Sequence, residues 1–311
     1  MPPQVSIIIP VHNRRAMLRE AVDSVRAQRG VSFELIIIDD GSTDGSWQDL
    51  HDGALAQSLV AIPSGNSVRL ARTEHRGPAA ARNRGLRMAS AELLAFLDSD
   101  DLWLPDKLRH QTADLDRHPE IMIAQTQELW LRDGRRVNPG LRHRKRSGDI
   151  FAASLRTCLI SPSAAIIRRA LLDRVGLFDE QMAACEDYDL WLRITARYPV
   201  GLLDSALVIR RAGHGDQLSA ITPALDRFRI RALLKLLCTG LLAPWQRLLA
   251  AQTLVEKCNI YGNGLARRGR LDEACFYRSL AALAQSADSG PNSEARLREA
   301  LEACSRGEFV A

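Results

Sequence analysis

Apolar residues in the first half of the chain come in short unbroken runs, each stopped by a polar or turn-forming residue. V-S-I-I-I at 5–9 is halted by Pro10, and F-E-L-I-I-I at 33–38 runs into Asp39 and Asp40. Runs of this length suit buried strands of a parallel sheet and are too short for helices. Leu93–Leu97 is a third, and Ser67–Ala71 reads as a fourth strand. Helical spacing lies between them. Met17, Leu18, Ala21, Val22 and Val25 mark one face of a helix from Asn13, its expected cap, to about Gln28. G-P-A-A-A-R-N-R-G-L from Gly77 opens another, with proline in its first turn. A further helix is expected from about Pro105 to His118.

Beyond residue 120 the rhythm loosens. Ile121–Leu131, Ser163–Ile167 and Leu202–Arg210 are expected strands, and Arg169–Val175 and Cys185–Arg197 helices. From about Ala224 the chain turns to Ala, Leu and Arg at helical spacing, divided by Pro244, several glycines and S-A-D-S-G-P into about four helices. Strand–helix alternation implies a mostly parallel sheet with right-handed crossovers. The domains expected are thus residues 1–222, α/β, and residues 223–311, helical.

Composition adds little until charge is mapped. The net charge is +5, but residues 132–146 carry seven Lys or Arg against one Asp, so the rest of the chain is near −1. This segment, with its Gly and Pro, reads as a mobile, solvated loop. It has no aromatic residue to stack on bases, so no nucleic acid is expected as partner. Contact with anionic lipid headgroups or a phosphorylated, lipid-linked acceptor is its second reading. Six scattered cysteines form no C-x-x-C pair. With no signal-peptide pattern and no long apolar window, they suggest a cytoplasmic protein, peripheral to the inner membrane face on that second reading.

The chemistry gathers where expected strands end. Ligands of such sheets bind at the carboxyl ends of the strands, and Asp39, Asp40 and Asp98–Asp101 all lie there. Two carboxylates about 4 Å apart repel by roughly 4 kcal/mol at an effective dielectric near 20. L-L-A-F-L-D-S-D-D-L-W at 93–103 therefore calls for a cation, and Asp-x-Asp on a strand end suits a divalent metal. The competing reading is an acidic loop with one Asp as helix cap.

Four segments in this order and spacing resemble glycosyltransferase family 2 enzymes of GT-A fold. They are V-S-I-I-I-P-V-H-N-R (5–14), E-L-I-I-I-D-D-G-S-T-D-G-S (34–46), L-L-A-F-L-D-S-D-D-L-W (93–103) and C-E-D-Y-D-L-W-L-R (185–193). The resemblance implies an inverting, metal-dependent, hexosyltransferase-type enzyme taking a nucleotide sugar, UDP-linked, to a glycan, lipid-linked or protein acceptor in cell-surface glycan synthesis. Pro10, His12, Asp40, Arg82, Asp98 and Glu186 would bind the nucleotide sugar. Asp100 and His214 would hold Mn²⁺ or Mg²⁺, and Asp187 would be the general base. Arg210 and Arg211 would meet the diphosphate, and Asp101 would cap the following helix. For His12, Arg82, Glu186, Asp187 and His214 a purely structural or solvated role stands as the alternative. Gly262, Gly269, Ala274 and Tyr277 resemble one tetratricopeptide-type hairpin, expected either to pack on the catalytic domain or to offer a groove to a protein partner. The rival function is a degenerate GT-A domain, binding nucleotide sugar or acting as a scaffold through those helices.

Overall fold

The computed structural model describes residues 2–213, 215, 222, 224–286 and 291–306. Two compact units interleave along the chain. One comprises Met1–Ile150, Leu159–Glu180 and Tyr198–Gln217; the other comprises Phe151–Cys158, Gln181–Arg197 and Leu218–Ala311.

The first unit holds a mixed sheet. Strands β1 (Val5–Val11), β2 (Phe33–Asp40), β3 (Ser67–Thr73) and β4 (Leu93–Phe96) lie parallel in the order β3-β2-β1-β4. Every residue of β1, β2 and β4 is buried, which is why these strands read as unbroken apolar runs. Pro10 does not stop β1. The Ile8 carbonyl accepts from the Leu97 amide, and β4 is paired only as far as Phe96. By alternation Pro10 presents its missing N–H beyond that last pair, where no ladder bond is lost.

Helix α1 (Arg15–Arg26) sets Leu18, Ala21, Val22 and Val25 into the core. Asn13 is not its cap: at φ +52 it ties β1 to the turn after β2, taking the Thr43 amide on its Oδ1 while its own N–H donates to Ser42 Oγ. The first helical N–H, that of Arg15, goes to Asp44 Oδ2. Short helices α2 (Ser46–His51) and α3 (Ala54–Val60) precede β3, and α4 (Pro78–Met88) follows it. α4 lies directly on β1, because a Cβ added at Gly85 would fall 2.5 Å from Ile8 Cγ2.

The rest of the sheet mixes directions. After β5 (Leu102–Trp103) and α5 (Lys107–Arg117) come β6 (Ile123–Arg132) and β7 (Arg135–Val137). The second unit's short α6 (Phe151–Ser154) intervenes before β8 (Ala165–Arg168), which is antiparallel to both β4 and β6. Helix α7 (Arg169–Val175) follows. β9, the 13-residue Val200–Ala212, is parallel to β6 and antiparallel to β5. Segment 132–146 is not simply a loop. Asp133 and Gly134, both at positive φ, turn β6 into β7, the backbone a two-residue hairpin needs. A 3₁₀ turn follows at Leu141–His143.

The second unit is helical: α6, α8 (Glu186–Thr195), α9 (Asp226–Leu237), α10 (Pro244–Arg267), α11 (Leu271–Ser286) and α12 (Pro291–Arg306). Tyr188 and Leu192 of α8 share a core with Ile230, Leu233 and Leu254. α10 and α11 form a hairpin in which Gly262 admits Ala274 and Tyr277, and Tyr261 meets Tyr277 edge-on at 4.7 Å. Among the described residues no helix is long and apolar enough to cross a membrane.

Candidate active site

Register decides what meets at the edge of the first unit's sheet. Val11 is paired with Asp39, Ile8 with Phe96 and Asp40 with Thr73. Parallel strands in this register bring Pro10–His12, Asp39–Asp40 and Asp98–Asp101 out on one side.

Asp40 is 3% exposed and its carboxylate is well used. It accepts the backbone N–H groups of Arg76 (2.9 Å) and Gly77 (2.8 Å), and its Oδ2 lies 2.8 Å from His75 Nδ1. It thereby holds the start of α4 against the end of β2. His12 lies beside it. Its Nδ1 is 2.8 Å from the Asp40 carbonyl, which can only accept, so that nitrogen carries the proton. The His12 and His75 rings stack at 3.8 Å. Gly41 makes the close approach possible, since a Cβ there would lie 2.8 Å from the His75 amide nitrogen.

On α4, Arg82 is buried rather than at the surface. Its guanidinium donates to Asp98 Oδ1 at 2.7 Å and lies over the Phe178 ring. Its neighbour Asn83 is taken up by the chain itself, donating to the Phe178 carbonyl and Glu180 and accepting the Phe178 amide.

Asp98, Asp100 and Asp101 can each offer an oxygen within 4.8 Å of the others. A set made only of carboxylates fits a hard divalent cation. Arginines supply positive charge around it: Arg14 is ion-paired with Asp100, and Arg211 donates to the Asp100 carbonyl and pairs with Glu20. Asp101 does not cap α5, whose N-cap is Asp106. It is buried, accepting Ser163 Oγ–H at 2.6 Å and the Arg211 amide at 3.0 Å. Burial, and after it the charges of Asp100 and Asp98, pushes its carboxyl well above the usual range.

The fourth motif lies in the second unit. Cys185, the N-cap of α8, sits at φ +60, a costly conformation for a residue with a Cβ. Glu186, Asp187 and Asp189 fill the helix's first turn, where its dipole favours negative charge. Glu186 is buried. Asp187 is half-buried, its Oδ1 accepting the Tyr188 amide and its Oδ2 the Cys158 thiol at 3.4 Å. Asp189 is spent on packing, paired with Arg193 and with Lys235 of α9. His214 lies outside the described residues.

Residues 6–176, more than half the chain, match the family model described as glycosyl transferase family 2. The chain belongs to that family. An uncharacterized glycosyltransferase of Rickettsia typhi is 31% identical over 69% of this chain and 65% of its own length. For a Rickettsia conorii relative the share is 32%, so the family 2 chain spans from about a third to two thirds of such relatives. The Escherichia coli UDP-Glc:alpha-D-GlcNAc-diphosphoundecaprenol beta-1,3-glucosyltransferase WfgD is 29% identical over 61% of the chain and 69% of its own length. Among solved structures, S. aureus TarS 1–349 in complex with UDP-GlcNAc shares the fold at TM-score 0.67 and 20% identity, covering 99% of this chain and 93% of its own. Mannosyltransferase PcManGT from Pyrobaculum calidifontis, in complex with GDP-Man and Mn²⁺, does so at 0.57 and 19%, over 99% and 87%. The GT-A expectation for this family 2 chain is met.

Several family 2 site neighbours escape a reading of motifs. Arg14 stands inside the first motif, yet its pairing with Asp100 spans 86 positions, and Ser163 reaches Asp101 across 62. The guanidinium of Arg210 lies 4.8 Å from the Trp130 ring, and its charge also reaches the Asp101 carboxyl. The demand of three clustered carboxylates for cations was the one available signal, and it does not say which arginine answers.

Proposed function

We propose that this chain transfers a sugar from a nucleotide-activated donor, with UDP as the nucleotide, to an acceptor hydroxyl, inverting the anomeric centre. The carrying observation is the Asp98–Asp100–Asp101 cluster at the strand ends of a family 2 chain, beside Asp40 and His12. UDP is favoured because TarS is seen with UDP-GlcNAc and WfgD is named for UDP-Glc. The name of WfgD also favours a lipid-linked acceptor in cell-surface glycan synthesis.

Mn²⁺ or Mg²⁺ would be held by Asp98 and Asp100, offsetting charge on the donor's phosphates; PcManGT, seen with Mn²⁺, supports this. The remaining roles belong to the protein's own groups. Pro10 and His12 would line the base, the ring of His12 being fixed by the Asp40 carbonyl. Asp40 would take a ring N–H while keeping α4 in place through Arg76 and Gly77. Arg82 would hold Asp98 in position for the nucleotide. Glu186 would serve the donor sugar. Asp187 would take the acceptor's proton as the hydroxyl attacks, a transfer that comes late in the step.

The test is thermal unfolding with a panel of nucleotide sugars, with and without Mn²⁺. A donor at about 100 times its Kd adds roughly 2.7 kcal/mol. The Asp100→Ala protein should keep its own Tm and lose the Mn²⁺-dependent part of the shift. Absence of a shift with every nucleotide sugar would leave the chain a degenerate scaffold and end this reading.

A further inference from the structure

The basic residues of segment 132–146 divide into two kinds. Lys145 is buried, with its Nζ 3.1 Å from Glu128 and 3.0 Å from Gln125 Oε1. Arg132, Arg135, Arg136, Arg142, Arg144 and Arg146 are exposed, and among the described residues none of the six is ion-paired with a carboxylate. Arginines elsewhere on this unit commonly are, as Arg15 and Arg19 are with Asp49.

These six stand on a firm base. Trp130 donates its indole N–H to Glu128 Oε2 at 2.9 Å, its ring meets that of His143, and Arg210 lies over it. A groove of about 470 Å³ opens beside it, lined by Arg132, Val137, Leu141 and Arg142 among others. Leu141 is 89% exposed, an aliphatic side chain standing among guanidinium groups.

We infer that this hairpin and 3₁₀ turn form a docking surface for an anionic phospholipid bilayer, with Arg132 and Arg142 at headgroup phosphates and Leu141 entering the interface. The composition matches that partner. Basic residues near an anionic leaflet each strengthen binding, and an apolar side chain between them gains by leaving water. A single-stranded nucleic acid is the poorer match, because its bases need free aromatic faces and the Trp130 ring is already engaged by Arg210 and His143. The surface does not rest on the proposed reaction and stands or falls separately from it.

The experiment is flotation of the full chain with vesicles of phosphatidylcholine, alone or with about a third phosphatidylglycerol, at about 0.1 M and 0.5 M salt. Binding is expected only to the anionic vesicles and should fall at high salt. Each arginine contributes about fivefold in partitioning. Arg135→Glu with Arg136→Glu, or Arg142→Glu with Arg144→Glu, should then lower binding by about 25-fold or more. Leu141→Ser, which removes the apolar contact without adding charge, should lower it by a similar factor at both salt concentrations. All these positions are exposed, and an unchanged Tm confirms each variant's fold. Equal binding to both vesicle types, no binding to either, or no loss in the arginine variants overturns the inference. So does arginine-dependent binding of a single-stranded oligonucleotide without vesicle binding.

Discussion

Replacing Lys145 by Met should unfold the chain far more readily than any other change in its basic segment. Lys145 and Glu128 are 5% and 3% exposed, so solvent screens their attraction little. Burial pushes the Glu128 carboxyl up, but Lys145, Arg210 and Ser161 together outweigh it and hold it down at about 2, from an ordinary 4.5. That depression corresponds to about 3 kcal/mol. Lys145 is the largest of the favourable partners, and breaking a buried pair costs about 3–5 kcal/mol because one charge is left unanswered. Lys145→Met should therefore lose about 3 kcal/mol in urea denaturation at neutral pH, and adding Glu128→Gln should recover at least half. A depressed carboxyl contributes its full stability above its unfolded pKa. The difference between wild type and Lys145→Met should thus hold above pH 4.5 and shrink as pH falls toward about 2. A loss below about 1 kcal/mol, or one that does not change with pH across that window, refutes the reasoning.

Two further outcomes follow from single residues. Asp187→Asn should bind a UDP sugar with unchanged Kd by calorimetry and lose transfer by at least about 100-fold, the scale of general-base catalysis; transfer at the wild-type rate would remove Asp187 from that role. Lys107 is fully buried with Gln111 Oε1 and the Trp103 ring for company, and burial pushes its ammonium well below the ordinary value. A folded-state pKa below the unfolded one lets the unfolded chain bind the extra proton, so the residue opposes folding most at low and neutral pH. Lys107→Met should raise Tm near pH 7, with the gap narrowing toward pH 10; a Tm several degrees lower would mean the ammonium is held by more than its burial allows.

The parts of the fold that sequence reveals are those governed by local pattern. Buried parallel strands must be apolar throughout, so 5–9, 33–38 and 93–97 announce themselves, and carboxylates straight after them lie at strand ends. What local pattern cannot reveal is which side chain answers which. Asn13 has a capping residue's chemistry but spends its side-chain oxygen 30 positions away, on the Thr43 amide. Asp101 has the same chemistry and turns to Ser163 and Arg211. Lys145 sits in a run of surface arginines and is drawn inside by Glu128, a partner 17 residues upstream. In each case a nonlocal bond overrides a local preference, and only the assembled sheet shows it.

The bond from the Arg211 amide to Asp101 bears on how the chain folds as it is made. Strand β9 joins the sheet through pairs such as Ile123 with Val200 and Leu102 with Ile209, the second across more than a hundred residues. On a growing chain the strands from Val5 to Phe96 can associate first, since the pairs that join them to one another lie within that stretch. Asp101 then waits, a carboxylate without its backbone donor, until residue 211 arrives. The acidic cluster is thus among the last parts of its unit to assemble, and a nascent chain that stalls before β9 carries nearly all of the parallel sheet and an unfinished site.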